Sequence, residues 1–200
     1  MINIVLAEDQ TLVRGALRAL LQMEGDIRVV SEASNGKEAL AQLHKHSVDL
    51  LLTDIEMPQM SGIELIEQCR QLHPSLKTVI VTTFGRSGYI KRALAAGVEG
   101  FLLKDSPSEE LAAAIRAVMK GKKVIDPELA IAALGDNDPL SNKERKALQL
   151  AAKGKSTADI ATALFLSEGT VRNYLSEAIA KLNATNRIDA ARIAKQKGWL

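Results

Sequence analysis

The sequence predicts an α/β fold with a doubly wound, five-stranded parallel sheet, followed by an all-α domain of four helices. Short apolar runs alternate with helical patterns over the first 120 residues, which is typical of a doubly wound sheet. Beyond Leu140 the apolar residues recur only at helical spacing. The charge changes near the same place: residues 1–135 carry 15 Lys/Arg and 17 Asp/Glu, whereas residues 136–200 carry 11 and 7. We therefore expect two domains, residues 1–120 and residues 138–200.

Five strands and five helices alternate in the predicted first domain. The expected strands are residues 2–6, 28–31, 48–53, 77–81 and 100–103. The expected helices are residues 12–21, 36–43, 63–72, 88–95 and 108–120. Right-handed crossovers place helices on both faces of such a sheet. Gly121, Pro127 and Gly135 interrupt the pattern that follows, so we expect residues 121–137 to form a linker with one short helix over 127–134.

The second domain has the signals of a helix-turn-helix. Ser141 precedes Glu144 by three residues, which is a capping-box pattern that begins a first helix. Further helices are expected over residues 157–164, 168–182 and 187–197. The first two of these are joined by a tight turn in which Ser167 can cap the following helix. The excess of basic residues in this domain favours a polyanion as its partner.

The composition is typical of a globular protein, with 46% apolar and 25% charged residues. No apolar run approaches the roughly 18 residues of a membrane span, so we expect no membrane association. The opening MINIVLAED lacks the basic start and cleavage site of a signal peptide. The single Cys69 cannot form an internal disulfide, and we expect it to be buried. These features predict a cytoplasmic protein.

Charged and hydroxyl side chains occur where the predicted strands end. Glu8 and Asp9 end the first strand, and Asp54 follows the third. Thr82 ends the fourth strand and Lys104 the fifth. The carboxyl ends of parallel strands share one edge of the sheet, where open α/β sheets bind ligands. Any one of these residues alone is more often a turn or surface residue, but together they predict a site with hard oxygen ligands for Mg²⁺ and one fixed positive charge.

In strand order, AEDQ, DIEMPQMSG, VTTFG and GFLLKD resemble the receiver domain of two-component response regulators, a flavodoxin-like fold. The resemblance covers residues 1–120 and implies that Asp54 is the phosphoacceptor. It also implies that Mg²⁺ is held by Glu8, Asp9, Asp54 and the backbone carbonyl of Glu56.

The resemblance assigns roles to three further residues. Thr82 and Lys104 are expected to contact the phosphoryl group, whose charge must be offset during transfer. Phe101 matches the switch aromatic, which turns inward when Thr82 moves. Phe84 lies two residues beyond Thr82, and we expect it to screen the acyl phosphate from water.

In the second domain, the expected recognition helix has one apolar stripe and one polar face. We expect the polar face to present Arg172 and Asn173, which can make bidentate contacts to guanine and adenine in the major groove. Lys155, Thr170 and Lys181 suit phosphates. The predicted DNA-binding residues are Lys155, Ser167, Glu168, Thr170, Arg172, Asn173, Ser176 and Lys181. On pattern alone, the alternative is a small helical bundle with an ordinary solvated face.

The stretches LSNKERKALQLAAKGKSTADIA and FLSEGTVRNYLSEAIAKLNATNR resemble the LuxR-type helix-turn-helix, over residues 138–200. A receiver followed by this module is similar to the NarL/FixJ class of response regulators. TTFGRSGY, LLKDSPSEELA and TVRNYLS are similar to its desaturase-regulator subgroup. The resemblance implies a transcription factor that accepts a phosphoryl group from a cognate sensor histidine kinase and binds double-stranded promoter DNA. RNA polymerase is a further candidate partner.

One such module reads a short half-site, so tight binding calls for a homodimer. The helix over 108–120 is apolar beyond the stripe expected to pack on the sheet, which favours a second buried face; the alternative is simply the high helix propensity of alanine. We expect a dimer face that forms on phosphorylation, and a second contact on DNA in the last helix. The residues concerned are Leu12, Arg14, Leu17, Ala113 and Ala117, with Ile188 and Ala191 in the last helix.

Two other functions remain open at this point. Asp54-Ile55-Glu56 is similar to the DxD motif of haloacid-dehalogenase-type phosphatases, but those place their nucleophile on the first core strand and need further acids downstream. The chain could also be a DNA-binding protein whose receiver is never phosphorylated, although the pocket residues are all present.

Overall fold

The computed structural model describes residues 1–83, 85–134 and 137–200, which divide into two compact units. Among the described residues, the amino-terminal unit contains 1–83, 85 and 89–134, and the carboxyl-terminal unit contains 86–88 and 137–200. No helix within these described ranges has the length and apolar character needed to cross a membrane.

The amino-terminal unit contains a parallel sheet with strand order β2-β1-β3-β4-β5-β6. The predicted parallel α/β sheet is confirmed, with a short sixth strand added at one edge. The strands are β1 Ile2–Ala7, β2 Ile27–Ala33, β3 Leu50–Thr53, β4 Lys77–Thr82, β5 Gly100–Leu103 and β6 Val124–Ile125.

Helices cover both faces of the sheet. They are α1 Thr11–Met23, α2 Gly36–Lys45, α3 Gly62–Leu72, α4 Ser87–Ala95, α5 Ser108–Met119 and α6 Pro127–Ala132. Alternate residues of one strand enter two different cores: Leu51 packs with Ile66 of α3, whereas Leu52 packs with Ile115 of α5. A strand buried on both faces explains the continuous apolar run in the sequence. Cys69 lies in the first of these cores, where burial raises the pKa of its thiol to about 11.

Residues 121–134 differ from the predicted linker. Val124 and Ile125 pair with Gly100 and Phe101 of β5, and Leu129 of α6 is 1% exposed. Asp126 caps the start of α6: its carboxylate accepts a hydrogen bond from the backbone N–H of Glu128 at 2.8 Å. This segment is therefore part of the first unit. A two-residue strand and a six-residue helix are too short to show a period in the sequence.

The carboxyl-terminal unit is all-α, as predicted. Its four helices are α7 Asn142–Ala152, α8 Thr157–Leu164, α9 Glu168–Lys181 and α10 Arg187–Gln196. Ser141 and Glu144 form the predicted capping box at the start of α7. Ser167 caps α9, accepting a hydrogen bond from the backbone N–H of Thr170 at 3.1 Å. The apolar sides of the helices share one core, which contains Ile160, Val171, Leu175 and Ala190.

Candidate functional site

Sheet register brings the predicted pocket residues to one edge. Ala7 of β1 pairs with Thr53 of β3, so Glu8 and Asp54 follow neighbouring strand ends. One carboxylate oxygen from each of Glu8, Asp9 and Asp54 lies within 4.8 Å of the others. The backbone N–H of Lys104 donates to the carbonyl of Thr82 at 2.8 Å, which places the lysine beside β4. The convergence expected from the strand order is thus present.

Lys104 connects the two buried carboxylates. Its Nζ lies 2.6 Å from Oε2 of Glu8 and 3.0 Å from Oδ2 of Asp54, and all three side chains are less than a tenth exposed. Burial raises the pKa of Glu8 and of Asp54, and this outweighs the hydrogen bonds from Lys104. Burial alone would lower the pKa of Lys104, but the hydrogen bonds to the two carboxylates raise it overall. The lysine is therefore firmly cationic.

The loop after Asp54 is held against its backbone. The Ile55 N–H donates to Oδ1 of Asp54 at 2.7 Å, and the Gly62 N–H donates to the carbonyl of Ile55 at 3.0 Å. A Cβ at Gly62 would lie 1.9 Å from the carbonyl oxygen of Asp54, so only glycine allows this approach. Within this loop, between Ile55 and Gly62, Gln59 has φ +65°, a left-handed conformation that costs energy in a residue with a side chain. This loop geometry fixes one oxygen of Asp54.

A cavity of about 160 Å³ opens beside Asp54. It is lined by Asp9, Gln10, Asp54, Glu56, Thr82, Thr83 and Tyr89. Gln10, Thr83 and Tyr89 were not predicted from the sequence. Gln10 and Thr83 directly follow predicted residues, a local signal that could have found them. Tyr89 lies on α4, and no sequence pattern indicates that its hydroxyl donates to Oε1 of Glu56 at 3.0 Å.

Of the two aromatic residues predicted to act at the pocket, Phe101 belongs to the part of the chain that the structure describes. Phe101 is fully buried on β5, with Ile80 of β4 and Ile125 of β6 as its register partners. Its ring therefore occupies an inward position in this structure. Phe84 lies outside the described residues.

Most predicted DNA-binding residues are exposed on the carboxyl-terminal unit. Arg172, Asn173 and Ser176 are exposed on α9, and Lys155 is exposed before α8. Arg172 forms an ion pair with exposed Glu168 one turn earlier, at 2.8 Å.

Three other predicted contacts have partners within the unit. Ser167 and Thr170 are joined in the cap of α9, with their hydroxyl oxygens 2.9 Å apart. Nζ of Lys181 lies 2.8 Å from both carboxylate oxygens of Glu144. The primary contact of Lys181 is therefore a structural one that sequence reasoning missed.

The predicted dimer residues divide into exposed and buried sets. Leu12 is 87% exposed and Ile188 75% exposed; Ala113 is also exposed, and Ala117 is half-buried. Leu17 and Ala191 are instead buried in the cores of their units, so they cannot face a second chain in this conformation.

Arg14 is half-buried and points back to its own unit. Its Nη1 donates to the backbone carbonyl of Glu8 at 2.5 Å, and its Nε lies 3.5 Å from a carboxylate oxygen of Glu32. The structure therefore corrects the predicted face at Leu17 and Ala191, because their positions on the helix wheel did not reveal which side packs inward. The dimer contact of Arg14 stays a prediction.

Family comparisons agree with both units. Residues 4–116 match the response regulator receiver domain, and residues 138–194 match the bacterial regulatory proteins of the luxR family. The chain therefore belongs to the response regulators that join a receiver to a luxR-family domain, the NarL/FixJ class. Within this class it falls in the DesR-like, or desaturase-regulator, subgroup that the sequence predicted.

Individual relatives cover the whole chain. It is 48% identical over 200 residues to the transcriptional regulatory protein YvfU of Bacillus subtilis, with 100% of both chains covered. It is 46% identical over 199 residues to DesR of the same organism, covering 100% of this chain and 99% of DesR. A structure of two RcsB dimers bound to two parallel DNAs matches with a TM-score of 0.66 and 28% identity, over 97% of this chain and 98% of that one. The chain is thus a transcriptional regulator, which excludes the phosphatase alternative.

Proposed function

We propose that Asp54 accepts a phosphoryl group from a phosphohistidine of a sensor histidine kinase, and that this controls binding of the chain to promoter DNA. The observation that supports the proposal best is Asp54 itself, a buried carboxylate bonded to Lys104 at 3.0 Å and open to a cavity of about 160 Å³. A buried acid of raised pKa beside a fixed cation in a cavity is typical of a functional site.

In the proposed step, an oxygen of Asp54 forms a bond to phosphorus while the phosphorus–nitrogen bond of the donor histidine breaks. The imidazole leaves with the electron pair of that bond and takes up a proton, and Asp54 becomes an acyl phosphate. Lys104 and the hydroxyl of Thr82 donate to phosphoryl oxygens, which offsets their charge. The Ile55 N–H holds the other Asp54 oxygen, at 2.7 Å, and so orients the carboxylate.

The donor set fits Mg²⁺. The carboxylates of Glu8, Asp9 and Asp54 offer hard oxygen ligands within 4.8 Å of one another, and the carbonyl of Glu56 is the fourth proposed ligand. When bound, Mg²⁺ supplies positive charge beside the transferring phosphoryl group.

The response is proposed to run through Thr82 and Phe101 to a phosphorylation-dependent homodimer. The exposed residues Leu12, Ala113 and Ile188 remain candidates for its contacts, with Ala117 at the margin. RcsB is bound to DNA as dimers in its structure, which is why we extend a dimeric, DNA-bound form to this chain. We place the protein in the cytoplasm, with RNA polymerase as a further candidate partner.

Phosphorylation is tested with acetyl phosphate or a purified histidine kinase. The wild-type chain should gain one acid-stable, base-labile phosphoryl group, and Asp54→Asn should gain none. Asp105→Asn, an exposed acid near the same edge, is the matched control and should be phosphorylated normally. A wild-type chain that takes up no phosphate would favour the alternative of an inert receiver.

DNA binding is tested by selecting duplexes from a random pool and measuring affinity for the selected site. Arg172→Ala should lower affinity about 5- to 150-fold and relax preference at one base, as expected for a lost bidentate base contact. Lys146→Ala on α7 is the control, because Lys146 is an exposed cation of the same unit with no proposed role in DNA binding or dimerisation. Equal losses in both variants would place the recognition surface elsewhere.

A further inference from the structure

Tyr89 connects the hydrophobic core with the wall of the phosphoacceptor cavity. Its residue is 8% exposed and packs in the same core cluster as Ile90, Phe101 and Leu129. Its hydroxyl lines the cavity and donates to Oε1 of Glu56 at 3.0 Å. The ring is thus held by packing, which gives the hydroxyl a fixed position.

Glu56 is a third acid in the lining of a cavity that already contains Asp9 and Asp54. Unlike Asp54 it is exposed, so polar contacts, among them the hydrogen bond from Tyr89, rather than packing set the position of its carboxylate. A mobile negative charge at this mouth would repel an incoming phosphoryl group, which is itself anionic. The hydrogen bond from Tyr89 restrains that charge on the wall formed by α4.

We propose that Tyr89 is a positioning residue for phosphoryl transfer that acts through Glu56. By holding the Glu56 carboxylate on the cavity wall, it keeps the approach to Asp54 open. It also steadies the peptide whose carbonyl is the proposed Mg²⁺ ligand. This inference rests on the proposed phosphorylation of Asp54 and adds a residue from α4 to the pocket.

The test uses the full chain with Tyr89→Phe, which removes the hydroxyl and keeps the ring. Phosphorylation by acetyl phosphate should slow about threefold to tenfold, as expected for one lost hydrogen bond of ordinary strength at an exposed carboxylate. The dissociation constant for Mg²⁺ alone, measured by calorimetry, should rise by a similar factor. An unchanged urea midpoint for the variant would show that packing around α4 is intact.

A second pair of variants separates positioning from packing. Glu56→Ala removes the charge, so adding Tyr89→Phe to it should change neither phosphorylation rate nor Mg²⁺ affinity further. Glu56→Gln keeps an acceptor for the Tyr89 hydroxyl and should bind Mg²⁺ with wild-type affinity. The inference is overturned if Tyr89→Phe matches wild type, or if its effect persists beside Glu56→Ala. If the wild-type chain takes no phosphate, the proposed function fails, while the Mg²⁺ measurement still decides on Tyr89.

Discussion

Replacing Leu129 by alanine should lower the free energy of unfolding of the amino-terminal unit by about 3–5 kcal/mol. Leu129 is 1% exposed and packs in the cluster that contains Phe101 and Ile90. The Leu129 side chain also packs closely against Gly85: a Cβ added there would lie 2.7 Å from Cδ2 of Leu129. The substitution removes three buried carbon atoms at about 0.8 kcal/mol each, roughly 2.4 kcal/mol, and the cavity left behind accounts for the remainder.

The matched control is Ile131→Ala in the same helix, because Ile131 is 70% exposed and its truncation should cost within about 0.5 kcal/mol. Urea unfolding followed by far-UV circular dichroism measures the cost. Fluorescence of Trp199, the single tryptophan, follows unfolding of the carboxyl-terminal core, in which it is buried. Hydrogen exchange should rise over Pro127–Ala132 in Leu129→Ala alone. Equal costs for the two variants would mean that α6 is not docked in solution, and would restore residues 121–137 as a free linker.

Three further outcomes follow from the sites. Burial would raise the pKa of Glu144, but hydrogen bonds from Lys181 and Ser141 lower it overall. The stability that ionised Glu144 contributes is therefore lost as pH falls below about 4.5. Lys181→Gln should make that loss smaller when unfolding is followed by Trp199 fluorescence. Burial raises the pKa of Asp54, so the folded state favours the protonated carboxyl, and this stabilisation is lost as pH rises through that pKa. Asp54→Asn, which cannot ionise, should therefore raise the thermal midpoint at pH 7 but not at pH 3. Gly62→Ala should destabilise the amino-terminal unit and block phosphorylation. Gly15→Ala in α1 is the control: a Cβ there meets nothing within 4 Å, so the free energy of unfolding should rise by about 1 kcal/mol in the same melts.

The sequence predicted the sheet because its strands are buried on both faces. The run Leu50–Leu52 has no polar interruption, and Asp54 follows it after a single residue, Thr53. Both the strand and its functional end can therefore be recognised in the sequence. The pocket was predictable for the same reason: parallel register converts the ends of separate strands into neighbours. Nothing more than strand order was needed to bring Glu8, Asp54 and Lys104 together.

The features that sequence reasoning missed depend on contacts between distant residues. Lys181 looked like a phosphate contact, but its partner Glu144 is 37 positions away. Leu17 and Ala191 lie on helices with small or apolar residues on more than one side, so periodicity could not decide which side is buried. Tyr89 belongs to the pocket only because α4 packs its ring beside Phe101.

The charges of the pocket bear on the proposed binding of a cation. One cation, Lys104, faces the two buried carboxylates of Glu8 and Asp54, and exposed Asp9 adds a third acid. Two like charges at the 4.8 Å limit of this cluster repel by about 3–4 kcal/mol at an effective dielectric constant of 20. This repulsion adds to burial, which is the main cause of the raised pKa of Glu8 and of Asp54. A divalent cation among these oxygens would remove that repulsion, whereas an anionic phosphoryl group arriving first would add to it. In the proposed function, a cation held by Glu8, Asp9 and Asp54 would offset the charge of Glu8, and Lys104 would then be available to donate to a phosphoryl oxygen.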